Sequence, residues 1–224
     1  MSRASIFVTG GTGYIGRRLI PRLLTRGFDV RALVRPGSER KAPQGCSVVR
    51  GDALDRWTFA AAIPRGSVVV HLVGTPHPSP AKAAEFEAVD FVSARECIGA
   101  AKTAGARHFV YVSVAQPAPV MRAYVSVRAR VEELLRTSDI PSTILRPWYV
   151  LGPGHRWPYA LAPLYWLAAA IPAKRQVARR LGLVTLDEML AALVWAIETA
   201  GRSSRLLEVP EIRSHGRRAE KQTA

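Results

Sequence analysis

The chain has 224 residues, 48% hydrophobic and 22% charged, with a formal net charge of +15. That length and balance fit one globular domain with a sizeable core and exclude disorder throughout. The two cysteines, Cys46 and Cys97, are too few for a disulfide framework. With no charged-then-apolar leader either, a cytoplasmic protein is expected.

The basic excess is spread thinly along the chain, with concentrations at Lys174 to Arg180 and from Arg213 to Lys221. No aromatic-basic alternation accompanies it, so a nucleic-acid partner is not expected. The longest uncharged run, Trp157 to Ala173, is broken by Pro158, Pro163 and Pro172. It falls short of the about 20 residues that a spanning helix needs, so no transmembrane segment is expected.

In chain order, the β-branched and aromatic run inside Ser5 to Thr9 reads as a buried parallel strand that ends in glycines. Ile15, Leu19, Ile20, Leu23 and Leu24 then recur at helical spacing over Tyr14 to Thr25, and Gly27 stands at the stop. Strands follow at Asp29 to Val34 and Ser47 to Arg50, a short helix near Arg56 to Ala62, and a strand at Val68 to Val73. A long helix from about Ala83 to Ala104 leads to the strand His108 to Val114. A helix from about Tyr124 to Thr137 then leads to the strand Ser142 to Leu145. Alternating units of this kind build an α/β fold of Rossmann type, a doubly wound parallel sheet that places ligands at the carboxyl ends of its strands.

After Pro147 the texture turns to prolines and aromatics. Helices are expected near Ala160 to Ala170 and Asp187 to Thr199, and a last strand at Leu206 to Val209. This reads as a small C-terminal lobe, about 148–205, of one dinucleotide-binding domain covering residues 1–213. Residues 214–224 are polar, basic and without periodicity, and a disordered tail is expected there.

Between the first strand and helix, Gly10, Gly13 and Gly16 stand at intervals of three. Gly10 permits a sharp turn, Gly13 lets backbone approach a pyrophosphate, and Gly16 lets the helix pack closely on the sheet. The phosphates would meet free N–H groups at the positive end of the helix dipole. The turn residues Gly10, Thr12, Gly13, Tyr14, Ile15 and Gly16 are therefore expected to hold a nicotinamide dinucleotide. NAD binders end the second strand with a carboxylate for the ribose hydroxyls, but here the chain reads Arg31-Ala32-Leu33-Val34-Arg35-Pro36. Arg35 offers a planar, permanently charged fork suited to a 2′-phosphate, which favours NADP over NAD while leaving NAD possible. A solvated arginine is the alternative, and Arg31 and Arg40 are weaker candidates for the same duty.

These residues resemble the atypical and extended short-chain dehydrogenase/reductases, a group that includes NAD-dependent epimerases/dehydratases and NmrA-like NAD(P)-binding proteins. The likeness rests on the turn Thr9 to Gly16, on Gly51-Asp52-Ala53-Leu54-Asp55, Val70-His71-Leu72-Val73-Gly74 and Phe109-Val110-Tyr111-Val112-Ser113. It continues through Leu145 to Gly154 and Val184-Thr185-Leu186-Asp187-Glu188. It implies Asp52 and Ala53 by the adenine, Val73 and Gly74 by the adenosine ribose, and Pro147 to Val150 by the nicotinamide. Core packing is the alternative for Val73 and Val150.

The resemblance also implies hydride transfer, with a serine and a tyrosine polarising the reacting oxygen and a lysine four residues after the tyrosine. This chain offers Ser113, Tyr124 and Arg128 as catalytic residues, and spacing of four places the last two on one helix face. Arg128 departs from the lysine: it supplies charge but cannot give up a proton as a lysine can. Asp90 departs from the asparagine that extended relatives usually carry. An ordinary half-buried tyrosine is the alternative for Tyr124. His71 is expected to pack inside the sheet, and His77, His155 and Cys46 lack metal-ligand spacing, so no metal is expected.

Trp148, Tyr149, Trp157, Tyr159, Tyr165 and Trp166 crowd the lobe, which suggests a hydrophobic small-molecule substrate. Lobe core, a homodimer contact or a peripheral membrane contact are the other readings. The expected function is an NADP(H)-dependent oxidoreductase or epimerase-like enzyme acting on a small apolar carbonyl or alcohol. The alternative is an inactive NmrA-like sensor or structural subunit.

Overall fold

The computed structural model describes residues 4–118, 120–153 and 181–223. The expected helix near Ala160 to Ala170 and the aromatics Trp157, Tyr159, Tyr165 and Trp166 lie outside them. Seven strands form one parallel sheet: β1 (Ser5–Thr9), β2 (Asp29–Val34), β3 (Ser47–Arg50), β4 (Val68–His71), β5 (His108–Val112), β6 (Ser142–Leu145) and β9 (Arg205–Leu207), in the order β3-β2-β1-β4-β5-β6-β9. The strands between β6 and β9 in sequence, β7 (Tyr149–Leu151) and β8 (Leu183–Thr185), pair parallel as a separate small sheet.

Alternation along β1 explains the two cores. Ile6 and Val8 face one layer with Leu19, Ile20 and Leu23 of α1 (Gly16–Thr25), while Phe7 faces the other with Ala94 and Cys97 of α3 (Val92–Ala104). Burial on both faces makes the strands near-continuous apolar runs, which is why they are easily read from sequence. The order reverses between β1 and β4, so a crevice opens beyond Thr9 and His71, where doubly wound sheets bind their ligands.

The expected long helix is continuous but irregular. An α-turn, α2 (Ala83–Glu85), passes into a π-helix at Phe86–Phe91 and then into α3, which Gly105 closes in the left-handed conformation. The π segment rotates the side chains that follow and delivers Asp90 into the interior. After β5 comes α4 (Arg122–Arg136), which lies in the same layer as α3 and shares its core through Val131 and Leu135.

Several expectations are corrected. The strand of residues 68–73 ends at His71 and that of 108–114 at Val112, because both chains leave the sheet where the site begins. The helix expected near residues 56–62 is two 3-10 turns, Arg56–Thr58 and Ala60–Ala62, the first capped by the Asp55 carboxylate on Trp57 N–H.

Residues 214–223 of the expected tail lie within a longer helix, α6 (Val209–Thr223), which packs on α5 (Leu186–Glu198). Val209 and Ile212 are buried, and a Cβ on Gly216 would stand 2.8 Å from Cα of Glu188, so the two helices cross closely there. Charged neighbours masked this sparse apolar stripe in the sequence. No helix among the described residues is long and apolar enough to cross a membrane.

Candidate dinucleotide and reaction site

The glycine turn fills the crevice between β1 and β4. Gly10 has φ +72, and a Cβ there would lie 2.8 Å from the Leu72 carbonyl and 3.0 Å from Val73 N. A Cβ on Gly16 would stand 2.7 Å from Gly11 Cα, and one on Gly13 3.1 Å from Gly10 O. The backbone is thus packed against itself and against the end of β4, while Gly13 stays exposed. This cradle fits a dinucleotide diphosphate: side chains are excluded where phosphates would approach, and α1 begins directly behind.

Around the turn, Thr12, Tyr14 and Ile15 are half-buried, and the Arg18 guanidinium lies 4.5 Å over the Tyr14 ring. Gly152, just past β7, leaves room for the Tyr14 hydroxyl, since a Cβ there would run into it. Val150 pairs with Val184 between β7 and β8, and buried Pro147 accepts a hydrogen bond from Ala115 N–H. Of these residues, Gly152 reaches the turn itself, at Tyr14.

At the opposite end, Arg35 directly follows β2, is exposed, and makes no ion pair among the described residues. Arg31 instead donates to the Ala62 carbonyl at 3.1 Å, and Glu39, the nearest following carboxylate in sequence, is paired with Arg50 at 2.9 Å. Asp52 follows β3 and accepts from Leu54 N–H, which shapes the loop that also presents Ala53.

Tyr124 and Arg128 meet beyond the carboxyl end of β5, where Arg128 holds the Val112 carbonyl, while Ser113, the next residue, turns to Glu132. Tyr124 is half-buried; its ring packs 5.0 Å from that of Phe86 and 4.9 Å from the Arg128 guanidinium carbon. Its hydroxyl makes no hydrogen bond among the described residues. Ser113 is buried, and its single proton is given to Glu132 Oε1 at 2.5 Å, an oxygen that also receives Gln116 and Arg146. With its proton so committed, the Ser113 hydroxyl has only acceptor capacity left.

Arg128 is buried. Its Nη2 pairs with Asp90 Oδ1 at 2.5 Å, and its Nη1 donates to the Val112 carbonyl at 2.9 Å and the Tyr111 hydroxyl at 3.2 Å. The other Asp90 oxygen accepts both the N–H and the hydroxyl of Thr75, at 2.9 and 2.6 Å. Burial drives the Tyr111 hydroxyl well above its ordinary range, so it stays protonated. Only Nε of the guanidinium lacks an acceptor among the described residues. Removing one member of such a buried pair typically costs about 3–5 kcal/mol, because the other charge is stranded.

His71 lies beneath. Its Nδ1 is 2.8 Å from Thr9 Oγ1, and burial, with Arg128 nearby, pushes its pKa down to about 3, so it is neutral. It joins β1 to β4 and takes no part in proton traffic near neutral pH.

A family model described as NAD(P)H-binding matches residues 10–157. The chain belongs to the NAD(P)H-binding family. Among similar proteins, the ceramide reductase of Caulobacter vibrioides is 29% identical over 96% of this chain and 67% of its own length. The 3-diazoavenalumate denitrifying reductase of a Streptomyces species is 30% identical over 87% of this chain and 72% of its own. A short-chain dehydrogenase/reductase superfamily protein from Agrobacterium tumefaciens, solved with bound NAD, superposes with a TM-score of 0.66 at 21% identity. That match covers 91% of this chain and 77% of the other. The Thermus thermophilus UDP-glucose 4-epimerase complex with NAD gives 0.65 at 17% identity, covering 97% and 83%. These structures share the fold of short-chain dehydrogenase/reductases, and a nicotinamide dinucleotide is the family's ligand.

Sequence reasoning missed Thr75, Tyr111 and Glu132. Glu132 carried a usable signal, since Tyr124, Arg128 and Glu132 recur every four residues along one face of α4. Thr75 carried none beyond standing next to Gly74.

Proposed function

We propose that this member of the NAD(P)H-binding family takes NADP(H) in preference to NAD(H) and reduces a small, apolar carbonyl compound, with Tyr124 as proton donor. The observation that carries the reading is that the Tyr124 hydroxyl makes no hydrogen bond among the described residues, while its ring rests on Arg128, whose guanidinium lies against Gly74. Unpaired Arg35 after β2, with no free carboxylate beside it, supports the 2′-phosphate. The reductase names of the two relatives support the reaction class.

Bound dinucleotide supplies the hydride that reaches the carbonyl carbon. Gly10, Thr12, Gly13, Tyr14, Ile15 and Gly16 would hold its diphosphate, Asp52 and Ala53 its adenine, Val73 and Gly74 its adenosine ribose, and Pro147 and Val150 its nicotinamide end. The Tyr124 O–H donates its proton to the carbonyl oxygen as the alcohol forms, and Ser113, whose own proton goes to Glu132, can accept a hydrogen bond from the product alcohol. Arg128 fixes the Tyr124 ring through its face rather than relaying a proton, because its charge is committed to Asp90.

That commitment favours a second reading, a sensor or structural subunit that binds NADP(H) without turning over. Following NADPH absorbance against ketones, aldehydes and quinones separates the two. The enzyme reading expects consumption that falls about 10²–10⁴-fold in Tyr124→Phe with NADPH affinity unchanged. Tight NADPH binding without turnover on any acceptor selects the second reading.

A further inference from the structure

The loop after β4 and the helix that carries Tyr124 come from distant parts of the chain, yet one carboxylate touches both. Asp90 Oδ1 holds Arg128 of α4, and Asp90 Oδ2 holds the N–H and hydroxyl of Thr75. Gly74 leaves the space for this: a Cβ there would stand 2.6 Å from Arg128 Nη2 and 3.1 Å from Asp90 Oδ1. Asp90 reaches this position because it sits on the π-helical segment between α2 and α3. Arg128 is in turn anchored to β5 through the Val112 carbonyl and the Tyr111 hydroxyl, and it lies against the Tyr124 ring.

We propose that Asp90 is a positioning residue that locks the Gly74–Thr75 cofactor loop to Arg128, so that a single buried guanidinium sets both the ribose-binding loop and the tyrosine. The proposal rests on the reading of Gly74 as part of the dinucleotide site. Arginine suits this role where a lysine would not: its fork donates in several fixed directions at once, to Asp90, Tyr111 and Val112, whereas an ammonium is a compact point charge. The arginine that weakens a proton relay thereby strengthens a clamp.

The test uses Arg128→Lys, which keeps a cation for buried Asp90, together with Thr75→Val, which removes only the hydroxyl contact. In cofactor-free protein, amide hydrogen exchange at Thr75 reads the clamp directly, because that N–H donates to Asp90. Exchange at Thr75 is expected to quicken at least about tenfold in Arg128→Lys, while strand amides such as Val69 keep their wild-type rates. NADPH dissociation constants of the two single variants and the double variant then form a cycle. The two substitutions are expected to weaken binding by less together than the product of their separate effects, because both act through Asp90. Unchanged Thr75 exchange in a folded Arg128→Lys protein overturns the proposal, and so does faster exchange with unaltered NADPH affinity. If Arg128→Lys does not fold, Thr75→Val decides alone, with weaker NADPH binding expected and unchanged binding overturning the proposal. A wild-type protein that binds no NADPH removes the site reading, whereas the exchange result still reports on the clamp.

Discussion

Gly74 and Arg128 compete for one space. A Cβ on Gly74 would fall within 2.6 Å of a guanidinium nitrogen that is itself paired with Asp90, so glycine here is required by a buried charge and not by a positive φ. Gly74→Ala should displace the pair or push the loop outward, destabilising the protein by about 1–3 kcal/mol. Urea unfolding reads the loss, and NADPH affinity should fall with it.

Arg35 is the residue on which coenzyme choice turns. Charge-assisted hydrogen bonds to a phosphate contribute about 1.5–3 kcal/mol, so Arg35→Glu should weaken NADPH binding about 10–100-fold and leave NADH binding level or improved. Fluorescence titration with each coenzyme measures the ratio, and an unchanged ratio rejects Arg35 as the phosphate ligand.

Stability should fall with acid. His71 is held neutral at about 3, below its ordinary 6.5, so its contribution is complete above 6.5 and is lost as pH falls from there toward 3. Going from pH 7 to pH 5 should cost about 2 kcal/mol through this group. His108, buried between Thr143 and the Gly201 carbonyl, is also depressed by burial and acts in the same direction. Denaturation midpoints at pH 7 and pH 5 should converge in His71→Gln.

The C-terminal helix should matter to folding. Ile212 is buried in the interior shared with α5, so Ile212→Ala should cost about 2–5 kcal/mol in urea unfolding. A value near zero would mean that α6 adds nothing to the stability of the fold.

The parallel sheet was legible because buried strands such as Ile6–Val8 and Val68–Val70 are unbroken apolar runs, and because Gly10, Gly13 and Gly16 carry steric duties that few other sequences would meet. The site was legible only in part. Tyr124 and Arg128 stand out by spacing, but the partners that decide what Arg128 does, Asp90 and Thr75, are brought in by a π-helical turn and a loop, and neither announces itself by periodicity. The helix Val209–Thr223 does not announce itself for a related reason: Val209, Ile212 and Gly216 make a stripe too thin to outweigh the charges around it.

Everything proposed for the site depends on backbone at Gly13 gripping the diphosphate of a nicotinamide dinucleotide. Calorimetric titration of NADPH into the purified protein and into Gly13→Val tests it most directly. Saturable one-to-one binding by the wild type is expected, with affinity about 100-fold lower in the folded variant, whose methyl groups would stand where the phosphates approach. Equal affinity in the two proteins, or no saturable binding of either coenzyme by the wild type, would contradict it.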